Sequence, residues 1–184
     1  MVITINNFLS KDECESLLKF SLQNELQPGL TGLDSKHATK YRESNILFYD
    51  YSLDFPNLNK KLIEIFEKEI DVKGHMVDFM HKEFQFTEYK TNGYYNWHTD
   101  SSSPSNKERY CSIVIQLNDS YTGGELQLKN NDNTDNVLNS GLGNLFLFHS
   151  HIQHRVTPVL TGIRYSLVNW IKLIPIKNYK KTLI

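Results

Sequence analysis

The sequence is poor in cysteine, in long apolar runs and in net charge, and each shortage excludes a class of protein. Two cysteines in 184 residues cannot build the disulfide framework of a small secreted domain. No apolar run approaches the ~18 residues that a membrane-spanning helix needs. A formal net charge of −1 gives no general electrostatic reason to bind nucleic acid or an anionic membrane. We therefore expect a soluble protein without a nucleic-acid or membrane partner.

The N-terminal segment and the two cysteines favour a cytoplasmic location. The first residues, "MVITINNFLSKDE", have neither the basic segment nor the long apolar core of a secretory signal. Cys14 falls in a helical pattern and Cys111 in an apolar strand pattern, so we expect two small core residues rather than a disulfide. The length, with 39% apolar and 22% charged residues, predicts one globular domain over residues 1–184.

The first 74 residues carry two amphipathic helix patterns. Ser10 and Glu13 form a capping box, and leucines at helical spacing follow it, so a helix is predicted over residues 11–25. From Pro56 to Asp71, apolar residues again recur every three or four positions and predict a second helix. Short strand patterns lie in "VITINNF" and "NILFYDY". We expect residues 1–74 to form a helical support.

After residue 75 the apolar pattern changes to short β-rich runs that are separated by turn residues. The runs are "KEFQFTEYK", "YYNWHTD", "YCSIVIQLN", "ELQLKN", "NLFLFHS" and "RYSLVNWI". Many short strands with frequent turns are typical of a sandwich, barrel or jelly roll. The sequence thus predicts a mainly β fold with flanking helices (α+β), with a β-rich core over residues 75–175.

A histidine and an aspartate stand two residues apart in "NWHTD", residues 96–100. In a strand, side chains at i and i+2 project from the same face, so His98 and Asp100 would lie side by side. Together they could supply two of the three ligands of a 2-His-1-carboxylate iron site. A surface hydrogen bond is the more common explanation of such a pair alone, so the metal hypothesis needs a third ligand.

Three histidines that could provide the third ligand cluster in "FLFHSHIQHRVTPV". They come from a second β-rich run, as a site assembled across a barrel requires. His149 and His151 end an apolar strand pattern, where one of them also fits an ordinary wall residue. His154 opens the next segment. The residues alone leave the choice among the three open.

An arginine interrupts the apolar pattern of "GIRYSLVNW". A strand here presents four residues on one face: Arg164, Ser166, Val168 and Trp170. An arginine on such a face needs an anionic partner. That partner is either an Asp or Glu side chain or the carboxylate of a dicarboxylate ligand. Tyr89 lies nine residues before His98. Its phenol could donate to a bound carboxylate, or the residue could be an ordinary aromatic of the wall.

Three stretches together resemble a known family. They are "YKTNGYYNWHTD", "RYCSIVIQLNDSYTGGELQL" and "NLFLFHSHIQHRVTPVLTGIRYSLVNW". Their motifs and order are similar to the Fe(II)/2-oxoglutarate-dependent oxygenases of the prolyl 4-hydroxylase type, especially the bacterial PKHD-type hydroxylases. The start "ITINNFLSKDECESLL" is also similar to that group. The resemblance covers nearly the whole chain and is dense from about residue 86 to residue 171.

The resemblance implies a role for each matching residue. His98, Asp100 and His154 would be the iron ligands, and Arg164 would pair with the distal carboxylate of 2-oxoglutarate. Tyr89 matches a tyrosine that helps to hold this cosubstrate in relatives.

Three further residues are weaker candidates. Gln116 stands where some relatives carry a second carboxylate-binding tyrosine, so its contact with 2-oxoglutarate stays open. Tyr95 and Trp97 flank the metal-binding motif and are candidates for the substrate pocket, although both also fit a core. His151 has no role in the family pattern, which favours His154 as the ligand.

The family implies a double-stranded β-helix (jelly roll) with the two N-terminal helices packed on it. It also implies a dioxygenase that uses Fe(II), 2-oxoglutarate and dioxygen, with ascorbate as a reductant, and hydroxylates an unactivated C–H bond. The expected substrate is a prolyl residue in a peptide or protein, or a free amino acid. Two alternatives are a non-catalytic jelly-roll binding module and a cupin-like metalloenzyme that does not use 2-oxoglutarate.

Overall fold

We describe the fold from a computed structural model, over residues 1–30, 41–70, 75–79, 83–101, 108–130, 132, 134–138 and 141–176. The first part contains β1 (Val2–Ile5), α1 (Lys11–Ser21), β2 (Gln27–Pro28), β3 (Arg42–Glu43), β4 (Asn45–Tyr49) and α2 (Pro56–Glu69). Then follow β5 (His75–Phe79), β6 (Phe84–Tyr89), β7 (Tyr94–His98), β8 (Cys111–Gln116), β9 (Tyr121–Gly123) and β10 (Leu126–Lys129). The last strands are β11 (Asp135–Val137), β12 (Leu145–His149), β13 (His154–Val156), β14 (Val159–Gly162) and β15 (Arg164–Pro175).

Two antiparallel sheets carry the site. The larger has the strand order β1-β12-β8-β15-β6-β4-β2, with β5 also paired to β15. The smaller has the order β11-β10-β13-β7-β3. Except for β10 and β11, neighbours in these orders are not consecutive in the sequence, so each sheet brings together residues from distant parts of the chain. A separate pair, β14 and β9, joins residues near the start of β15 to the turn before β10.

The apolar residues form two clusters, one on each face of the larger sheet. On one face, Leu17 of α1 and Leu62 of α2 belong to the same buried cluster as Phe86 and Ile113 of the sheet. A second cluster joins the larger sheet to the smaller one and includes Phe148 of β12. Alternation along each strand therefore divides the side chains between a helix-covered face and a face that looks into the space between the sheets.

The predicted class, mainly β with flanking helices, is confirmed, and each strand run named from the sequence contains a strand. The first helix is shorter than predicted, because it ends at Ser21 rather than at residue 25. There the Ser21 hydroxyl donates to the Leu17 carbonyl and lies 2.6 Å from the Tyr51 hydroxyl oxygen. The Asn24 side chain donates to the Phe20 carbonyl, so the last carbonyls are satisfied by side chains and turns.

The second helix matches its prediction to within its last two residues, although Asp71 lies outside the described part of the chain. Both thiols are buried and free, as expected of core residues. Residues 135–137, which lie in none of the predicted β-rich runs, pair with β10 as a short strand. Neither described helix is long and apolar enough to cross a lipid bilayer.

Candidate metal centre

A cavity of about 240 Å³ lies between the two sheets and holds most of the predicted site residues. The larger sheet contributes a row of side chains from β15 with i, i+2 spacing: Arg164, Ser166, Val168 and Trp170. This is the single face predicted for that strand. The smaller sheet contributes residues of β7 and β13, and the segment after β7 contributes Asp100.

His98, Asp100 and His154 meet on one wall of this cavity, with one ligand atom from each residue lying within 4.8 Å of the others. His98 ends β7 and His154 begins β13, and the antiparallel pairing places the two residues opposite each other. Asp100 lies just past the end of β7 instead of within it, and its backbone N–H donates to the Ser150 carbonyl at 2.9 Å. This backbone hydrogen bond holds the segment after β7 so that the Asp100 carboxylate lies beside the two histidines.

Backbone carbonyls fix which nitrogen of each histidine faces the cluster. Nδ1 of His98 lies 2.8 Å from the carbonyl oxygen of Asn96, and Nδ1 of His154 lies 2.9 Å from that of Ile152. Because a carbonyl oxygen only accepts, Nδ1 carries the proton in both rings. Nε2 is then left with a free lone pair, which is the form that binds a metal. The two Nε2 atoms lie 3.6 and 3.5 Å from the carboxylate oxygens of Asp100.

Two donors from the larger sheet orient the Asp100 carboxylate. The Ser112 hydroxyl donates to Oδ2 at 2.6 Å, and the Trp170 indole N–H donates to the same oxygen at 2.8 Å. Ser112 also lies within 2.9 Å of the Ser150 hydroxyl. Both of these donors bind Oδ2, and neither binds Oδ1. Such supporting bonds to a metal-binding carboxylate fix its geometry.

The ionisation of the cluster suits a cation. Burial, followed by the nearby His154, lowers the pKa of His98 to about 3, so this ring is neutral at pH 7. Burial alone would raise the pKa of Asp100, but His154, His98 and the two donors outweigh it and lower the pKa. A neutral imidazole beside an ionised carboxylate is the protonation state that a divalent metal requires.

Arg164 reaches the cavity from the start of β15 and is only 1% exposed. Nη1 donates to the Ser166 hydroxyl at 3.2 Å, whereas Nε and Nη2 have no hydrogen-bond partner among the described residues. The guanidinium carbon lies 5.4 Å from the centre of the Tyr89 ring. A buried cation with two unused donors is costly unless an anion binds there. This arginine therefore fits the carboxylate of a dicarboxylate ligand.

The other predicted site residues divide into those that line the cavity and those that do not. Tyr89 and Tyr95 line the cavity, and the Tyr95 ring stacks on His98 with 3.6 Å between the ring centres. Gln116 is not among the lining residues, because its amide nitrogen donates to the backbone carbonyls of Asn118 and Tyr165. Trp97 also lies off the cavity.

Two cations hold Trp97 on the other side of the smaller sheet. Lys129 and Arg155 each lie 4.6 Å from its ring centre. The pairing of β7 with β13 shifts its register between Tyr95 and His98, so both of these residues reach the cavity while Trp97, between them, does not.

The structure also separates the three candidate histidines. His154 joins the metal cluster, whereas the exposed His151 stacks on His149 with 5.2 Å between the ring centres. His149 in turn has Nδ1 3.7 Å from the Cys111 sulfur. Neither of these two belongs to the cluster that the described residues form around Asp100.

Sequence reasoning missed four contributors to the cavity region. Ser112 could have been found from its spacing, since it shares the even-numbered face of β8 with the cavity residue Val114. Gly124 has φ +59°, and a Cβ there would lie 3.1 Å from Cδ of Arg164. Arg42 and Arg109 also line the cavity. No local pattern marks Arg42, because β3 reaches the cavity only through the tertiary fold, and Arg109 opens one of the stretches of family resemblance without an assigned role there.

Comparison with known proteins agrees with this site. Residues 84–172 match the 2OG-Fe(II) oxygenase superfamily, a span that runs from β6 through the metal cluster and Arg164. Over this span, just under half of its length, the chain is similar to that superfamily, and its curated relatives are named PKHD-type hydroxylases.

Among curated relatives, a PKHD-type hydroxylase of Synechococcus sp. strain CC9605 is 36% identical over 80 residues. That alignment covers 42% of this chain and 36% of the relative. A PKHD-type hydroxylase of Aliarcobacter butzleri is 25% identical over an alignment that spans 100% of this chain and 84% of the relative. The first of these alignments thus spans little more than a third of the relative's length.

Solved structures share the fold at lower identity. A prolyl-4-hydroxylase of Pseudomonas putida superposes with a TM-score of 0.73 at 22% identity, over 93% of this chain and 91% of that one. A prolyl hydroxylase of Trichoplax adhaerens, in complex with a peptide fragment of the hypoxia inducible factor oxygen degradation domain, gives a TM-score of 0.73 at 20% identity. This match covers 93% of this chain and 83% of that one.

Proposed function

We propose that this protein is an Fe(II)- and 2-oxoglutarate-dependent dioxygenase that hydroxylates an unactivated C–H bond. One observation carries the proposal: a 2-His-1-carboxylate cluster and a buried arginine with two unused donors share a single cavity. Three protein ligands from one side leave coordination positions open, as non-haem Fe(II) oxygenases require. A dicarboxylate bound between this cluster and Arg164 accounts for both halves of the site.

The residues of the chain have distinct tasks in this reaction. Nε2 of His98, Nε2 of His154 and a carboxylate oxygen of Asp100 hold the iron. Arg164 binds the distal carboxylate of 2-oxoglutarate through Nε and Nη2, while the Tyr89 ring supports its guanidinium. When bound, the iron, 2-oxoglutarate and dioxygen supply the oxidising chemistry, with succinate, carbon dioxide and a hydroxylated product as the outcome.

The protein controls orientation and water around these groups. Nδ1–H bonds to backbone carbonyls keep both histidine rings in one tautomer, and Ser112 and Trp170 keep the carboxylate in one orientation. Apolar side chains from both sheets, such as Val114 and Leu126, line the rest of the cavity. Exclusion of water strengthens the pairing of Arg164 with an anion and protects the reaction from side reactions.

For the substrate, we propose a prolyl residue of a peptide or protein, or a free amino acid. The support is that two solved structures with this fold are prolyl hydroxylases, one of them in complex with a peptide. Tyr95, stacked on His98 at the cavity wall, is the substrate-contacting candidate that the structure favours. Residues 1–184 would act as one domain, with the two sheets forming the double-stranded β-helix that carries the metal.

The test is formation of succinate from 2-oxoglutarate by the purified protein with Fe(II), ascorbate and dioxygen. We expect turnover in the wild type, stimulated by a prolyl peptide or an amino acid, and none in Asp100→Ala. If Fe(II) and 2-oxoglutarate both bind but give no succinate, the protein is a binding module. If catalysis occurs and Arg164→Gln leaves the affinity for 2-oxoglutarate unchanged, a metalloenzyme that does not use this cosubstrate replaces the proposal.

A further inference from the structure

Two more arginines line the same cavity, and the proposed cosubstrate does not account for them. Arg42 of β3 is only 5% exposed, and its Nη2 is buried without a hydrogen-bond partner among the described residues. Nε of Arg109, just before β8, is also buried and has no hydrogen-bond partner among the described residues. Neither arginine forms an ion pair with a carboxylate of a described residue. Both guanidinium groups therefore keep a donor for a ligand.

Each guanidinium lies against an aromatic ring that also contacts a proposed metal ligand. Arg42 lies 4.8 Å from the centre of the Tyr95 ring, which stacks on His98. Arg109 lies 3.7 Å from the centre of the Trp170 ring, whose N–H donates to Asp100. These rings hold the two cations at defined positions beside the metal cluster. A group bound by both would place its neighbouring atoms at the iron.

The charge balance of the cavity points to the sign of that group. The described lining residues include three arginines, Arg42, Arg109 and Arg164, against the single carboxylate of Asp100. The proposed Fe(II) and 2-oxoglutarate carry equal and opposite charges, so their binding leaves this imbalance unchanged. Among the described residues, the buried Arg42 and the half-buried Arg109 then remain without an anion, which is unfavourable in a site that excludes water.

We propose that Arg42 and Arg109 form a carboxylate-binding subsite for the substrate, which determines specificity and rests on the function proposed above. Each guanidinium already has one modest hydrogen bond. Nε of Arg42 donates to the Ser44 hydroxyl, and Nη1 of Arg109 lies 3.4 Å from the Asp100 carbonyl oxygen. The buried donors that remain, Nη2 of Arg42 and Nε of Arg109, suit the two oxygens of one carboxylate.

This subsite narrows the substrate class to molecules with a carboxylate close to the C–H bond that reacts. A free amino acid or a C-terminal residue provides an α-carboxylate, and a peptide with an acidic residue beside the target provides a side-chain carboxylate. An internal residue of a neutral peptide provides neither. The shared chemistry is the carboxylate, and the two sources differ in whether the peptide terminus is free.

The experiment measures substrate-stimulated succinate formation with matched probes. One pair is L-proline against L-prolinamide, and the panel extends to the other amino acids and their amides. A second pair is an end-blocked prolyl tripeptide with Asp next to the target against the same tripeptide with Asn. We expect the carboxylate member of at least one pair to have a kcat/KM about 10- to 100-fold higher, as for loss of a charged hydrogen-bond pair.

Variants then assign the effect to the two arginines. Arg42→Gln and Arg109→Gln should each reduce that preference by about tenfold or more, whereas Arg155→Gln should retain it. Arg155 is a matched control, since it also stacks on a tryptophan but lies outside the cavity. Arg109→Lys, which keeps the charge, should recover part of the preference if Arg109→Gln folds poorly.

Direct binding gives a readout that does not depend on turnover. With Zn(II) and an inert 2-oxoglutarate analogue in place, the preferred carboxylate probe should change the fluorescence of Trp170, and its amide should not. Equal kcat/KM values for acid and amide across the panel would overturn the subsite. It would also be overturned if Arg42→Gln and Arg109→Gln raised only the KM for 2-oxoglutarate. Failure of the proposed function is distinct, because succinate would then be absent with every probe.

Discussion

His98 and His154, 56 positions apart in the sequence, are direct partners in the antiparallel pairing of β7 and β13. Their ring centres lie 4.1 Å apart, and both rings donate from Nδ1 to the carbonyl of the residue two positions before them. The two strands therefore present equivalent nitrogen atoms to the same point. Asp100 completes the cluster from the loop, where backbone and side-chain hydrogen bonds hold it.

The first prediction concerns which histidines hold the metal. His98→Ala and His154→Ala should each abolish 2-oxoglutarate turnover and high-affinity Fe(II) binding, because each removes one of three protein ligands. His151→Ala should keep both, since this exposed ring stacks on His149 away from the cluster. Fe(II) affinity by anaerobic calorimetry and succinate formation are the two measurements. Normal turnover in His154→Ala, with loss in His151→Ala, would contradict the ligand set.

The second prediction concerns the donors that hold Asp100. Ser112→Ala and Trp170→Phe each remove one hydrogen bond to Oδ2, and Trp170→Phe keeps an aromatic ring under Arg109. Loss of such a supporting bond should weaken metal affinity by about 10- to 100-fold, while the fold persists. Thr122→Ala, which removes an exposed hydroxyl contact with Thr161, is the control. Metal affinity within about twofold of wild type in both site variants would show that these bonds do not orient the ligand.

The third prediction concerns Gly124. Alanine there must adopt φ +59°, which L-residues rarely do, and its Cβ would lie 2.9 Å from Cγ2 of Val159 and 3.1 Å from Cδ of Arg164. We expect Gly124→Ala to lower stability by about 1–3 kcal/mol and to raise the KM for 2-oxoglutarate by displacing Arg164. Thermal unfolding and the KM measure the two effects separately. A lower melting temperature with an unchanged KM would mean that the glycine serves only the turn.

The fourth prediction concerns the thiols. Burial raises the pKa of Cys14 to about 11 and that of Cys111 to about 12. At pH 7.5 neither thiol should react with an alkylating reagent in the native protein, and both should react in denaturant. Because the unfolded pKa is near 8.5, the unfolded chain ionises first. The contribution of the protonated thiols to the free energy of unfolding is therefore fully present below about pH 8.5. It is lost as the pH rises through the pKa values of the folded protein. Rapid native labelling of Cys14 would contradict its place in the core.

Local patterns predicted the parts of the fold that depend on neighbouring residues. The capping box of Ser10 and Glu13 is formed in both directions, and the alternation in β15 predicted which four residues share a face. The strands β3, β9 and β13 have only two or three residues, too few to show a period. Their existence depends on partners far along the chain, so they could not be predicted from sequence alone.

The candidate site divides in the same way. The metal cluster was predictable because motif spacing and family resemblance identified His98, Asp100, His154 and Arg164 together. Trp97 was a substrate candidate because it neighbours the motif, yet its ring lies between two cations outside the cavity. Arg42 enters the cavity from a two-residue strand, which nothing in its neighbouring sequence indicates.

Iron and 2-oxoglutarate should bind together at the cluster of His98, Asp100 and His154, beside Arg164. Anaerobic titration of the protein with Fe(II) and 2-oxoglutarate, followed by visible absorption, tests it. We predict a metal-to-ligand charge-transfer band in the wild type, no such band in His154→Ala, and a need for much more 2-oxoglutarate in Arg164→Gln. Absence of the band in the wild type, with both ligands at saturating concentration, would contradict the account.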